Sequence, residues 1–276
     1  MDVEMLKRKS AAIRATCVQM AYDGREGHLS SALSCVDLLV TLYNGFLNVN
    51  PLEAKNPGRD RFYLSKGHGC TALYAVLAER GFVPREQLLR YSQTDSPFPN
   101  HPCIHALPVL ESSSGSLGHG LGLATGALYG LRLNNSSSRA VVLMSDGECN
   151  EGSVWESAMF ACAQKLDKLL AIVDYNGVQA VGRSDQIMGY TSIEQKFRSF
   201  GWAGCTINGN SIPEILEALA RFPFEKGRPS FIVAKTVSGS GVRFMEDDQV
   251  WHYRCPSEDE LRRAISELGE KPIHLR

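Results

Sequence analysis

The sequence lacks the signatures of several broad functional classes. None of its eight cysteines forms a Cys-x-x-Cys pair, which excludes a zinc ribbon and a thioredoxin-type redox site. Scattered thiols of this kind read as reduced, small apolar fillers. Charge of one sign is not in excess: 29 Lys+Arg stand against 30 Asp+Glu, and a surface built to neutralise nucleic-acid phosphates needs a basic surplus. No apolar run approaches the ~20 residues of a membrane span. The opening residues, MDVEMLKRKS, have no apolar core of a secretion signal. The setting expected is therefore soluble and cytoplasmic. No Gly-Lys dipeptide exists for a P-loop, and neither G-x-S-x-G nor H-E-x-x-H occurs.

What is present is an ordinary globular composition, 43% hydrophobic and 21% charged over 276 residues. A chain of that length can bury most of its apolar surface without a disulfide or metal staple. The apolar spacing predicts helices over 4–22, 31–47 and 69–80, with a short extended segment at 62–65. Five prolines and glycines in 92–115 predict an ordered loop. From there strands and helices alternate: helix 117–133, strand 140–144, helix 152–166, strand 169–173, helix 191–199, strand 204–207, helix 212–221, strand 230–235 and helix 257–268. Short, continuously apolar strands between helices predict an α/β fold, a mostly parallel sheet with helices on both faces. Gly118, Gly122, Gly126 and Gly130 recur every four residues. Each costs about 1 kcal/mol relative to Ala inside a helix, so one face of helix 117–133 is expected to pack closely on a neighbouring element or subunit.

Ligands of an open parallel sheet bind beyond the carboxyl ends of the strands. Strand 140–144 runs into Ser145-Asp146-Gly147, and strand 169–173 into Asp174-Tyr175-Asn176-Gly177-Val178. If these strands are neighbours, Asp146 and Asn176 face one crevice. A carboxylate, an amide oxygen and a main-chain carbonyl make a hard, all-oxygen set suited to Mg²⁺ or Ca²⁺ with room for phosphate oxygens. Gly147 would let backbone approach a diphosphate. Taken singly, Asp-Gly and Asn-Gly are ordinary turn dipeptides; their spacing at successive strand ends is what makes them specific. Five of seven histidines, His28, His68, His101, His119 and His252, lie in or beside Gly-rich or Pro-rich blocks, and imidazoles suit sugar hydroxyls and proton transfer near neutral pH. His105 and His274 read as structural.

Asp146-Gly147 followed by Asn176 resembles the thiamine diphosphate and metal fingerprint of the transketolase superfamily. LSKGHG at 64–69, PNHP at 99–102, SGSLGHG at 114–120, DGECNEGSVWE at 146–156 and FMEDDQVWH at 244–252 stand in that family's order. The resemblance is to the N-terminal, diphosphate-binding domain of transketolases. It implies thiamine diphosphate as cofactor, with Asp146, Asn176 and the carbonyl of Val178 on a divalent metal and Gly147 against the diphosphate. Gly115, Ser116 and Leu117 would line the cofactor, and Lys66 and His68 would contact its diphosphate. His28, His101 and His252 would line the substrate channel, and Glu151 matches a buried acid at the family's subunit interface.

The departures matter too. Ser145 replaces the first Gly of Gly-Asp-Gly, Asn100 stands where Gly usually precedes the channel histidine, and Ser238 stands where the family often carries a lysine near the cofactor. Transketolases continue into a pyrimidine-binding and a C-terminal domain. The whole chain, 1–276, is expected to be one diphosphate-binding domain whose missing half comes from a partner subunit, in an α2β2 assembly, as the N-terminal subunit of a split transketolase moving a two-carbon ketol unit from a ketose or ketose phosphate to an aldose. Two alternatives stand beside it. An α subunit of a 2-oxo-acid dehydrogenase would not need so many hydroxyl-binding histidines. A non-catalytic protein keeping only the fold is the reading to which Ser238 lends weight.

Overall fold

Apolar strands and amphipathic helices assemble around one parallel sheet in the computed structural model, which describes residues 2–270. Strands β1 (Arg61–Leu64), β2 (Ala140–Ser145), β3 (Leu169–Tyr175), β6 (Ala203–Asn208) and β7 (Ser230–Lys235) lie in the order β1-β2-β3-β7-β6. Every pairing is parallel. The run AVVLMS of β2 is buried throughout, because alternate residues enter two different cores. Val141 and Leu143 pack with α1 (Val3–Gly24), α2 (Leu29–Ser34), α3 (Val36–Thr41), α4 (Cys70–Glu79), α9 (Ile212–Ala220) and α10 (Glu258–Glu267) on one face. Val142 and Met144 pack with α5 (Gly120–Leu133), α6 (Gly152–Ala163) and α8 (Ile193–Ser199) on the other. The period-2 geometry of a strand thus converts an unbroken apolar sequence into a three-layer fold.

Local signals set the boundaries. Asp2 caps α1 by accepting from the Glu4 amide at 3.0 Å, and Ser257 with Glu260 forms a capping box on α10. The helix expected over 31–47 is two short helices interrupted at Cys35 (φ −97°, ψ 6°), closing in a π turn at Leu42–Phe46, where Asn44-Gly45 offers weak helix propensity. The helix expected from residue 117 starts at Gly120, because Gly118 has φ +81°, a conformation that glycine adopts without penalty. The glycine face is only partly packed. A side chain at Gly122 would meet Ser157 of α6, whereas Gly126 and Gly130 have nothing within 4 Å.

Two features not expected from the sequence stand over the sheet end. A two-residue hairpin pairs β4 (Val178–Gln179) with β5 (Gly182–Arg183), followed by the short helix α7 (Ser184–Met188). No helix among the described residues is long and apolar enough to cross a membrane.

Candidate active site

The register places Ser145 opposite Asp174 and Asp174 opposite Ala234, so the carboxyl ends of β2, β3 and β7 stand side by side. A cleft of about 420 Å³ opens there. Asp146 is 4% exposed, its amide donates to the Asp174 carbonyl at 3.2 Å, and its Oδ2 accepts from the Ser184 hydroxyl at 2.5 Å. Burial raises the Asp146 pKa, and the Ser184 hydrogen bond opposes that shift. Asn176 Oδ1 accepts from the Val178 amide at 3.0 Å, and its Nδ2 donates to Ser34 Oγ at 3.3 Å. Ser34 has one hydrogen, and its acceptors are Asp174 Oδ2 at 2.6 Å and the Ser31 carbonyl at 2.9 Å. Ser34 can therefore only accept from Asn176, which fixes which end of the amide is oxygen.

The sequence-predicted metal residues are thus brought to one wall: Asp146, Asn176 and Val178 all line the cleft, with Gly147 beside them. Among the described residues no three His, Cys, Asp or Glu side chains cluster as metal ligands. The set available is oxygen-rich and low in charge, which fits a hard divalent cation rather than zinc. Two backbone segments also meet closely beside the cleft. A side chain at Gly67 would meet Ser114 Oγ at 2.5 Å and the Gly115 amide at 3.1 Å, and Gly115 has φ +136°. Only glycine allows these two loops to come so close while lining the cleft.

The opposite wall is made of imidazoles. The His28 ring lies 5.3 Å from His252, 5.8 Å from His68 and 5.9 Å from His101. All four line the cleft, with Tyr253. His28 adopts φ +61° at the start of α2 and its amide donates to the His252 carbonyl at 2.7 Å. Gly27 lies against the Tyr253 main chain, 2.6 Å from where its own side chain would begin, so the two segments are clamped together. Burial lowers the pKa of every one of these rings. His252, pressed further by His28 and Lys66, falls to about 4. Neutral imidazoles in this number can both donate to and accept from hydroxyl groups.

One expectation is corrected. Lys66 does not face the cleft. It is fully buried, with Nζ donating to Asp174 and to the Ser31 carbonyl, the latter at 2.8 Å. Burial alone would lower its pKa, but the Asp174 carboxylate reverses the sign and holds it protonated. Ser116 is exposed, bonded to His119 Nδ1 at 3.1 Å, and is not among the residues lining the cleft. Glu151 is exposed in this chain and lines the cleft; the acid buried within the chain itself is Glu148. Its carboxylate accepts from Ser65 and from the Gly118 amide at 2.8 Å, tying β1, β2 and the start of α5 together. Burial raises its pKa, and those bonds oppose the rise. His105 is exposed and apart from the cleft, and His274 lies outside the described residues. Ser31, Asn150, Gln179, Ile187, Met188 and Tyr253 also line the cleft. For most of these the sequence carried no signal beyond proximity to a motif.

Residues 6–275 match the family described as transketolase, thiamine diphosphate binding domain. The chain belongs to that family. It is 36% identical over 272 residues to one of the named subunits of the apulose-4-phosphate transketolase of Actinobacillus succinogenes, covering 98% of each. It is 34% identical over 245 residues to the 6-deoxy-6-sulfo-D-fructose transketolase subunit SqwG of a Clostridium species, covering 89% of each. Against the transketolase of Homo sapiens the identity is 34% over 270 residues, which is 96% of this chain and 42% of that protein. The crystal structure of the Campylobacter jejuni transketolase superposes with a TM-score of 0.92 at 27% identity, covering 99% of this chain and 44% of that one. This transketolase-family chain therefore has the thiamine diphosphate-binding fold, and its similarity to relatives named as single subunits of a transketolase runs along almost their whole length.

Proposed function

We propose that the chain is the diphosphate-binding subunit of a two-component transketolase, moving a two-carbon ketol unit from a ketose or its phosphate to an aldose. The observation that carries this is the meeting, in one cleft, of Asp146 and Asn176 with four imidazoles. Polyhydroxylated substrates need many neutral donor-acceptor groups, and an oxygen donor pair suits a divalent ion on a diphosphate. Bound thiamine diphosphate supplies the carbanion chemistry. Asp146, Asn176 and the Val178 carbonyl hold the metal, Gly147 lets the main chain approach the diphosphate, and Gly115 and Leu117 line the cofactor. His68 faces the diphosphate side. His101 binds donor hydroxyls, and His28 and His252 hold or move protons at the hydroxyls of donor and acceptor.

The remainder of the active site belongs to a partner subunit carrying a pyrimidine-binding domain, in an α2β2 assembly. The outer surface of α5 and α6 supports a partner. Leu123, Leu133, Met159 and Phe160 are exposed there, beside the open Gly126 and Gly130. Apolar exposure of this kind marks an interaction surface. The test is turnover by the purified pair of subunits. Two-carbon transfer between a ketose phosphate and an aldose, dependent on thiamine diphosphate, Mg²⁺ and both chains, is expected. Turnover of 2-oxo acids with none of ketoses would contradict the proposal.

A further inference from the structure

With Lys66 committed to Asp174, none of the residues lining the cleft is lysine or arginine. Within this chain, main-chain amides, neutral side chains and a bound metal ion are what can hold an anion there. A buried neutral side chain of the lining has an unused donor. Gln179 lies across Gly147: a side chain at 147 would begin 2.8 Å from Gln179 Cδ and 3.0 Å from its Oε1. Its Nε2 is buried and has no hydrogen-bond partner. Burying an amide N–H without an acceptor is costly, so native structures rarely do it unless something else completes the bond. Asp146 Oδ2, which also lines the cleft, accepts from Ser184.

The side chain is held where it is by its own hairpin. Gln179 pairs with Gly182 across the two-residue turn. The Ala180 carbonyl accepts from Gln249 Nε2 at 3.4 Å, and Arg183 forms an ion pair with Asp247. The Ser184 amide bonds back to the Gly177 carbonyl at 3.1 Å. The hairpin is therefore fixed on both sides, and the amide stays over Gly147 rather than swinging into solvent.

We propose that Gln179 is a diphosphate-binding residue, its Nε2 donating to a phosphate oxygen seated on Gly147 beside the divalent cation. This rests on the cofactor site proposed above. It gives a side-chain donor to a cleft whose lining holds no lysine or arginine. A neutral donor bonds a phosphate without adding charge, so the electrostatic part of diphosphate binding is left to the metal.

The experiment is calorimetric titration of thiamine diphosphate into the assembled subunit pair in excess Mg²⁺, with magnesium pyrophosphate as a competitor. Gln179→Ala is expected to weaken thiamine diphosphate about tenfold or more, as loss of one hydrogen bond to a charged group would. Pyrophosphate should weaken by the same factor, and the melting temperature of the cofactor-free protein should not move. Gln179→Glu, which removes the donor and adds a like charge, should weaken both further. Unchanged or tighter binding by Gln179→Ala overturns the proposal, because the side chain would then only plug the cleft. A loss confined to thiamine diphosphate and not shared by pyrophosphate overturns it as well. Asp146→Ala, run in parallel, separates the two levels: if it too binds normally, the cofactor site fails and the Gln179 assignment fails with it.

Discussion

The two sides of Asp174 are opposite in character. Behind it, Lys66, Ser31, Ser34 and Asp174 itself are almost or wholly excluded from solvent, and the ammonium and carboxylate neutralise each other. In front of it lies an open cleft with no lysine or arginine, lined by imidazoles, glycines, amides and the carboxylates of Asp146 and Glu151. The difference teaches where the positive charge for a diphosphate can come from. Lys66, the lysine next to the site, is used to hold the sheet ends in register with α2. The cleft has no lysine or arginine of this chain to offer.

Breaking the buried side should have the largest effect. Lys66→Met leaves Asp174 charged, buried and unpaired, and removal of one partner of such a pair costs about 3–5 kcal/mol. A fall of that size in urea unfolding free energy is expected. Unchanged stability with a selective loss of cofactor affinity would mean that the lysine serves the ligand after all.

A gentler change couples the two sides. Ser34 passes the Asp174 carboxylate's orientation on to Asn176 through bonds of 2.6 and 3.3 Å. Ser34→Ala frees the amide to flip, and changes in the layer behind a metal ligand typically weaken metal binding roughly 10–100-fold. The apparent Mg²⁺ affinity, read from cofactor binding at graded Mg²⁺, should fall in that range. Ser34→Thr, which keeps the hydroxyl, should recover most of it. An unchanged Mg²⁺ affinity would uncouple the compartments.

The smallest effect concerns the imidazole wall. The His252 pKa is lowered from 6.5 to about 4, chiefly by burial, and the other three rings shift the same way. The unfolded chain therefore takes up protons below pH 6.5 that the folded chain refuses until about pH 4. Stability fully present above pH 6.5 should be lost progressively as the pH falls toward 4. Denaturation at stepped pH should show that slope, and His252→Asn should flatten it. A slope identical in wild type and variant would show that this ring is not buried in solution as it is here.

Much of this was legible in the chain. AVVLM and LLAIV announce buried parallel strands, and the polar residues directly after them mark the sheet end where Asp146 and Asn176 meet. The glycine at 147 signalled a close approach, and a side chain there would meet Gln179. The misplacement of Lys66 has a physical cause. Lys66 sits in a Gly-rich segment that looks like a ligand loop, and nothing local reveals that the chain turns its ammonium inward to an aspartate 108 positions later. Glu148 and Glu151 are three residues apart in one motif, and it is the tertiary contacts of Ser65 and Gly118 that bury Glu148 within the chain. Gln179 was invisible because a two-residue hairpin has no periodicity to read.

The most direct test is titration of the assembled protein with thiamine diphosphate in the presence of Mg²⁺, and again after its removal by a chelator, in wild type and in Asp146→Ala. Tight binding only in wild type with the cation present is the predicted result. Equally tight binding in chelator, or in Asp146→Ala with the cation present, would contradict the claim that an ion gripped by Asp146 and Asn176 supplies the charge that this cleft lacks.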